Sequence, residues 1–257
     1  MHGVGTLMTT KAVAIEEVEK DNGSFDAVAF SQQALSSNQS LAAAFDHTLL
    51  KPEATREQVI KLCEEAAEYQ FACAMVNPAW VSTAYMALQG SGVPVGTVLG
   101  FPLGASLSVS KREEAVELVK LGAHDLDMVL NIGMLKSGLN DRVQQDIRGV
   151  VEVAHDAGAI VKVILETCLL NVEEKLRASE LAIAAGADFL KTSTGFSTGG
   201  ATPQDVALLR GVAGSRCGVK ASGGIRSLTD TRAMLEAGAN RIGASASVNI
   251  VQELHQG

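Results

Sequence analysis

The sequence predicts a (β/α)8 barrel, the TIM-barrel architecture, with an N-terminal extension. Three observations carry this. Eight short apolar runs recur along the chain from Phe45 onward. Polar N-cap signals follow most of them, and a small-residue turn of the form Gly-Ala precedes four of them. Strands that alternate with helices build a parallel sheet, and eight of them favour a closed barrel over an open sheet. The 257 residues suit one such domain.

In chain order, residues 1–40 read as the extension, partly helical or mobile, because they carry the polar cluster SQQALSSNQS and no strong strand. A helix closing the lower end of the barrel and an oligomer contact are both compatible with them. The barrel proper is expected over 41–257. Its candidate strands are FDHTLL (45–50), FACAMVN (71–77), VGTVLGF (95–101), DLDMVLN (125–131), IVKVILE (160–166), FLKTS (189–193), GVKASG (218–223) and RIGAS (241–245). Capping boxes mark the helix starts: Thr55 with Gln58, Ser110 with Glu113, Asn171 with Glu174, Thr202 with Asp205, and Ser227 with Asp230. Pro203 suits the first helical position after Thr202. Gly122-Ala123, Gly158-Ala159, Gly186-Ala187 and Gly238-Ala239 mark helix ends running into strands.

Composition narrows the function. The core must be aliphatic, since hydrophobic residues make up 47% of the chain and aromatics only 4%. That suits a parallel sheet covered on both faces. The net charge of -8 argues against a nucleic-acid partner, which needs a basic surface. No apolar run is long enough to span a bilayer, and no secretory signal is visible, so no membrane partner is expected. Cys63, Cys73, Cys168 and Cys217 form no CxxC pair and read as reduced thiols of a cytoplasmic protein. No paired-His spacing and no GxGxxG after the first strand occur, so neither a metal nor another cofactor is expected.

A barrel of this kind carries its chemistry at the C-terminal ends of the strands. Lys191 and Lys220 lie late in the sixth and seventh runs, on neighbouring strands spaced roughly 4.8 Å apart. Burial and a like charge both push a lysine pKa down. A neutral amine can then add to a carbonyl and form a Schiff base. Asp127 is the natural proton handler beside them, or else only their counter-ion. Lys162 lies earlier in its strand and reads as a supporting ion-pair member. Gly195, Gly223-Gly224 and the stretch from Gly243 to Ser247 follow strands six, seven and eight, where barrels often bind phosphate.

At these residues the chain resembles the deoxyribose-phosphate aldolases, class I aldolases, over roughly residues 45–250. The matching stretches are DHTLLKP (46–52), VNP (76–78), GFPLG (100–104), DMVLNIG (127–133), KVILETCLL (162–170), GADFLKTSTGF (186–196), ATPQDV (201–206), KASGGIR (220–226) and RIGAS (241–245). KTSTG with KASGG is the most specific pair. The resemblance implies reversible cleavage of 2-deoxy-D-ribose 5-phosphate to D-glyceraldehyde 3-phosphate and acetaldehyde. It implies Lys191 as the Schiff-base lysine, Lys220 as the group lowering its pKa, and Asp127 as the proton relay. Asp46, Thr48 and Thr192 are expected to line the substrate pocket. Gly195, Gly223, Gly224 and Ser245 are expected to hold the phosphate. A cytoplasmic homodimer or higher homo-oligomer is implied as well.

Three features depart from that family. Ala246 stands where many members have a second serine, so one phosphate-binding hydroxyl is lost. The chain ends NIVQELHQG, without the tyrosine that assists proton transfer in some relatives. The extension lies outside the resemblance. Other readings stay open: a neighbouring Schiff-base aldolase or transaldolase, a silent phosphate-sugar-binding barrel, or an isomerase that needs no imine.

Overall fold

A computed structural model of the chain describes residues 25–254. The part of the extension before residue 25 lies outside the described residues. Eight parallel strands close into a barrel in sequence order: β1 (Phe45–Leu49), β2 (Cys73–Val76), β3 (Val95–Leu99), β4 (Ala123–Val129), β5 (Ile160–Ile164), β6 (Phe189–Lys191), β7 (Gly218–Ser222) and β8 (Arg241–Ala244). Each falls on one of the eight expected runs, the fourth starting two residues early. β8 pairs back onto β1 through Phe45 and Ile242, which closes the ring.

Around the ring run α3 (Arg56–Tyr69), α4 (Val81–Ala87), α5 (Ser108–Lys120), α6 (Ile132–Lys136), α7 (Asn140–Asp156), α8 (Val172–Ala184), α9 (Pro203–Ala213), α10 (Leu228–Glu236) and α11 (Ser247–Glu253). Thr55–Gln58, Asn171–Glu174 and Ser227–Asp230 are reciprocal capping boxes, and Thr202 caps α9 from its side with Pro203 at the first turn. Ser110 is not a cap. The Lys111 N–H donates to Leu107 O, so Leu107 is the N-cap, three residues earlier, and Ser110 lies inside the first turn. Gly122 and Gly238 close their helices at φ +101° and +110°, where a side chain would be strained.

Alternation along the strands separates two interiors. Leu126 and Met128, Val161 and Val163, Leu190, Val219 and Ala221, and Ile242 point outward into one continuous aliphatic core beneath the helices. Each such buried Leu, Met, Val or Ile contributes about 1.5–3 kcal/mol. The alternate positions face the lumen. On β2 and β3 these are Cys73, Met75 and Val98, which form a second, small apolar cluster with Leu50 and Phe101. On β4 to β8 and β1 they include Asp125, Asp127, Lys162, Lys191, Lys220, Arg241 and Asp46, which are linked by ion pairs. Gly96 makes the first sector possible, since a Cβ there would lie 2.4 Å from Cys73 Sγ.

Within the expected extension, α1 (Ala27–Ala34) and α2 (Asn38–Ala42) are capped by Asp26 and Ser37. α1 packs on α10 and α2 on α11. The Phe25 ring lies 3.9 Å from the guanidinium carbon of Arg210, a buried side chain that donates to the Gly238, Gly214 and Cys217 carbonyls. No helix of the described residues is long and apolar enough to cross a membrane.

Candidate active site

The register brings the two lysines level: Lys191 on β6 pairs directly with Lys220 on β7. Both are buried, and both donate to one oxygen, Asp127 Oδ2, at 2.7 and 2.6 Å. Asp127 is level with Lys162 across β4 and β5, and its other oxygen lies 3.3 Å from Lys162 Nζ. Lys220 also donates to Asp46 Oδ2 at 2.5 Å, and Arg241 donates to Asp46 Oδ1 at 2.8 Å. Deeper still, Lys162 bonds Asp125, which His124 meets at 2.9 Å at the barrel's lower rim. Both lysines therefore do pair with carboxylates.

Charge counting shows why they are nevertheless unequal. Lys162, Lys191, Lys220 and Arg241 face three carboxylates, Asp46, Asp125 and Asp127. Fully ionised, the lumen holds one positive charge too many for a dry interior. Burial pushes the Lys191 ammonium down; Asp127 pulls it back, and Lys220 pushes it down again, leaving it at about 8. Burial alone would raise Asp127, but Lys191, Lys220 and Lys162 together hold it well below the ordinary carboxylate range. Lys162 and Arg241 lose to burial and gain more from their carboxylates, so both are held firmly charged. Asp46 is likewise ionised, its burial outweighed by Lys220, Lys162 and Arg241. The proton most easily given up in the cluster belongs to Lys191.

The glycine loops gather beside it. Gly223 lies against Gly200, Ser193 and Gly195, since a Cβ on it would come within 3.1–3.6 Å of all three. Among the described residues the N–H groups of Gly195, Gly223 and Gly224 make no hydrogen bond. Ser245 is exposed at the end of β8, just before α11. These are unspent donors along the β6, β7 and β8 edge of the mouth. From the same β6 turn, Phe196 meets Phe101, which follows β3, edge-on at 5.3 Å.

Two expectations change in detail. Thr192 is fully buried, and its hydroxyl exchanges hydrogen bonds with the Ser222 backbone at 3.2 Å, so it joins β6 to β7 instead of facing the mouth. Thr48 is half-buried with its hydroxyl turned back to Asp46 O at 2.8 Å. Ser193, two residues past Lys191, keeps a buried hydroxyl without a partner among the described residues. Asp125 and Arg241 were not expected in the network. Their signal is period two: Asp125 precedes Asp127, and Arg241 precedes Gly243, on the same strand face.

By spacing, Asp46, Cys73 and Asp125 could form a small metal-ligand set. Their carboxylates are already taken by Lys162, Lys220 and Arg241, and burial pushes the Cys73 thiol well up. A further cation would enter among cations, so these residues do not fit a metal.

A closed barrel with a lysine–carboxylate cluster at the C-terminal strand ends, beside loops of free N–H groups, defines a barrel enzyme with its reactive groups in the mouth. A model of the DeoC/LacD aldolase family matches residues 40–253. The chain belongs to that family. It is 59% identical over 214 residues to the deoxyribose-phosphate aldolase of Caldanaerobacter subterraneus subsp. tengcongensis, covering 83% of this chain and 93% of that one. Identity to the deoxyribose-phosphate aldolase of Bacillus subtilis is 56% over 214 residues, covering 83% and 95%. Among solved structures, the tetrameric deoxyribose phosphate aldolase of Aeropyrum pernix aligns with a TM-score of 0.83 at 36% identity, covering 90% of this chain and 97% of that one.

Proposed function

We propose that the protein cleaves 2-deoxy-D-ribose 5-phosphate reversibly to D-glyceraldehyde 3-phosphate and acetaldehyde through a Schiff base on Lys191. The observation that carries this reading is the level pair Lys191 and Lys220 sharing Asp127 Oδ2. Neutral Lys191 adds to the C1 aldehyde of the open-chain sugar, and loss of water leaves a protonated imine. Asp127, through a water, takes the proton of the C3 hydroxyl. The C2–C3 bond breaks as the C3 oxygen becomes a carbonyl, and its electrons pass into the imine. D-glyceraldehyde 3-phosphate departs, leaving an enamine. Protonation of the enamine carbon and hydrolysis of the imine release acetaldehyde and restore the lysine. Lys220 remains the charged neighbour that discourages a second charge on Lys191. Asp46 holds Lys220, and Gly195, Gly223, Gly224 and Ser245 receive the phosphate.

The same proposal includes a cytoplasmic setting and a homo-oligomer, the latter supported by the tetrameric Aeropyrum neighbour. A coupled assay of glyceraldehyde 3-phosphate release tests the substrate. Turnover of deoxyribose 5-phosphate supports the reading; no turnover of it, with cleavage of a different sugar phosphate, overturns it.

A further inference from the structure

Glu166 stands two residues past β5 and adopts a left-handed backbone, φ 55° and ψ 64°. Among the described residues only one other non-glycine has positive φ, Gln70, which is the C-cap of α3. Glu166 ends no helix and instead opens the short turn Thr167–Leu169, so its left-handed backbone needs another reason. Its side chain supplies one. The carboxylate is buried, and both its oxygens accept the Thr194 N–H at 3.3 Å, while the Thr194 hydroxyl donates to Oε2. The same hydroxyl accepts the Phe196 N–H at 3.0 Å. Thr194, Gly195 and Phe196 form the turn that follows Lys191, and Glu166 bolts that turn from the side of β5.

The placement is odd for a carboxylate. Its oxygens are turned to Thr194, and the Gly195 N–H between the two tied residues is left without a partner among the described residues. Gly195 is exposed and lies beside Gly223.

We propose that Glu166 is a positioning residue for phosphate recognition, holding the Thr194–Phe196 turn so that the Gly195 N–H points to the phosphate. This rests on the substrate reading above. Glu166 touches no reacting atom, so its effect belongs in binding of the phosphorylated end and not in the chemical step.

The test compares deoxyribose 5-phosphate with unphosphorylated deoxyribose in wild type, Glu166→Gln, Glu166→Ala and Thr194→Val. Wild type is expected to prefer the phosphorylated sugar. In Glu166→Ala, KM for the phosphorylated sugar is expected to rise about tenfold, the scale of one lost charge-assisted hydrogen bond, with kcat within about twofold. Turnover of unphosphorylated deoxyribose stays near wild type. Glu166→Gln, which keeps one acceptor oxygen, recovers part of the loss, and Thr194→Val reproduces it. Equal losses on both sugars, or a kcat loss without a KM change, would mean a structural prop and overturn the proposal. Should Glu166→Ala not fold, the Glu166→Gln and Thr194→Val ratios decide alone. A wild type without phosphate preference overturns the substrate reading and this inference together. Preference retained in every variant overturns only the inference.

Discussion

The protein buries lysine–aspartate contacts in two places. Between α5 and α7, Lys111 donates to Asp146 at 2.5 Å and to the Val129 carbonyl at 2.9 Å, with almost no exposure on either partner. In the lumen, Lys191 and Lys220 crowd onto one oxygen of Asp127. The residue types and distances are nearly the same, but the charge balance differs. The outer pair is one to one. The lumen sets four cations against three carboxylates and leaves Lys191 at its end, holding a shared oxygen. What separates a structural lysine from a reactive one here is arithmetic of neighbours, and burial alone does not tell them apart.

The largest effect expected from breaking this contrast is in Lys191→Met. Activity should fall by about 10^4-fold or more, since the nucleophile is gone. Folding should not suffer. A lysine held at about 8 in the folded protein costs stability below that pH, because the unfolded chain binds its proton more tightly. Removing it should leave the thermal midpoint unchanged or higher. A large drop in the midpoint would contradict the charge count. Lys111→Met should do the reverse: it strands a buried Asp146 and costs about 3–5 kcal/mol in denaturant unfolding, while kcat of the folded fraction persists. A loss of kcat in that variant would link the outer pair to the chemistry.

Lys220→Met sharpens the comparison through pH. In wild type, kcat/KM should rise with pH and level off near 8, as the free enzyme's Lys191 loses its proton. Lys220 pushes that pKa down, so its removal should move the limb to higher pH and lower activity at neutrality by about 10^2-fold. A limb that stays in place would assign the shift to burial alone. The smallest effect is expected far from both clusters. Phe25→Ala removes the ring over buried Arg210 and should cost about 1–2 kcal/mol without changing the pH profile.

Much of this was legible in the residues. The aliphatic runs, the Gly-Ala helix ends and the reciprocal caps are local signals, and they place the strands within a residue or two. Lys191, Lys220 and Asp127 stand out because charged residues at lumen positions are costly and rare. Thr192 was misread although period two puts it on the opposite face from Lys191. Ser110 was misread because a serine followed three residues later by Glu113 looks like a cap, whereas the backbone bond from Lys111 to Leu107 makes Leu107 the N-cap and puts both Ser108 and Ser110 inside the helix. The order of the charge chain, with Arg241 and Asp125 at its base, depends on strand register across the closed ring, which no local window contains. Glu166 showed only as the polar end of the fifth run, since glutamate is not a residue type that announces a left-handed turn.

The central claim is that Lys191 is the amine that goes uncharged and forms the imine. Borohydride reduction of the enzyme in the presence of acetaldehyde, followed by peptide mass mapping, tests it most directly. The charge count predicts a covalent adduct on the peptide carrying Lys191. An adduct on Lys220 or Lys162, or none in enzyme that turns over its substrate, would contradict it.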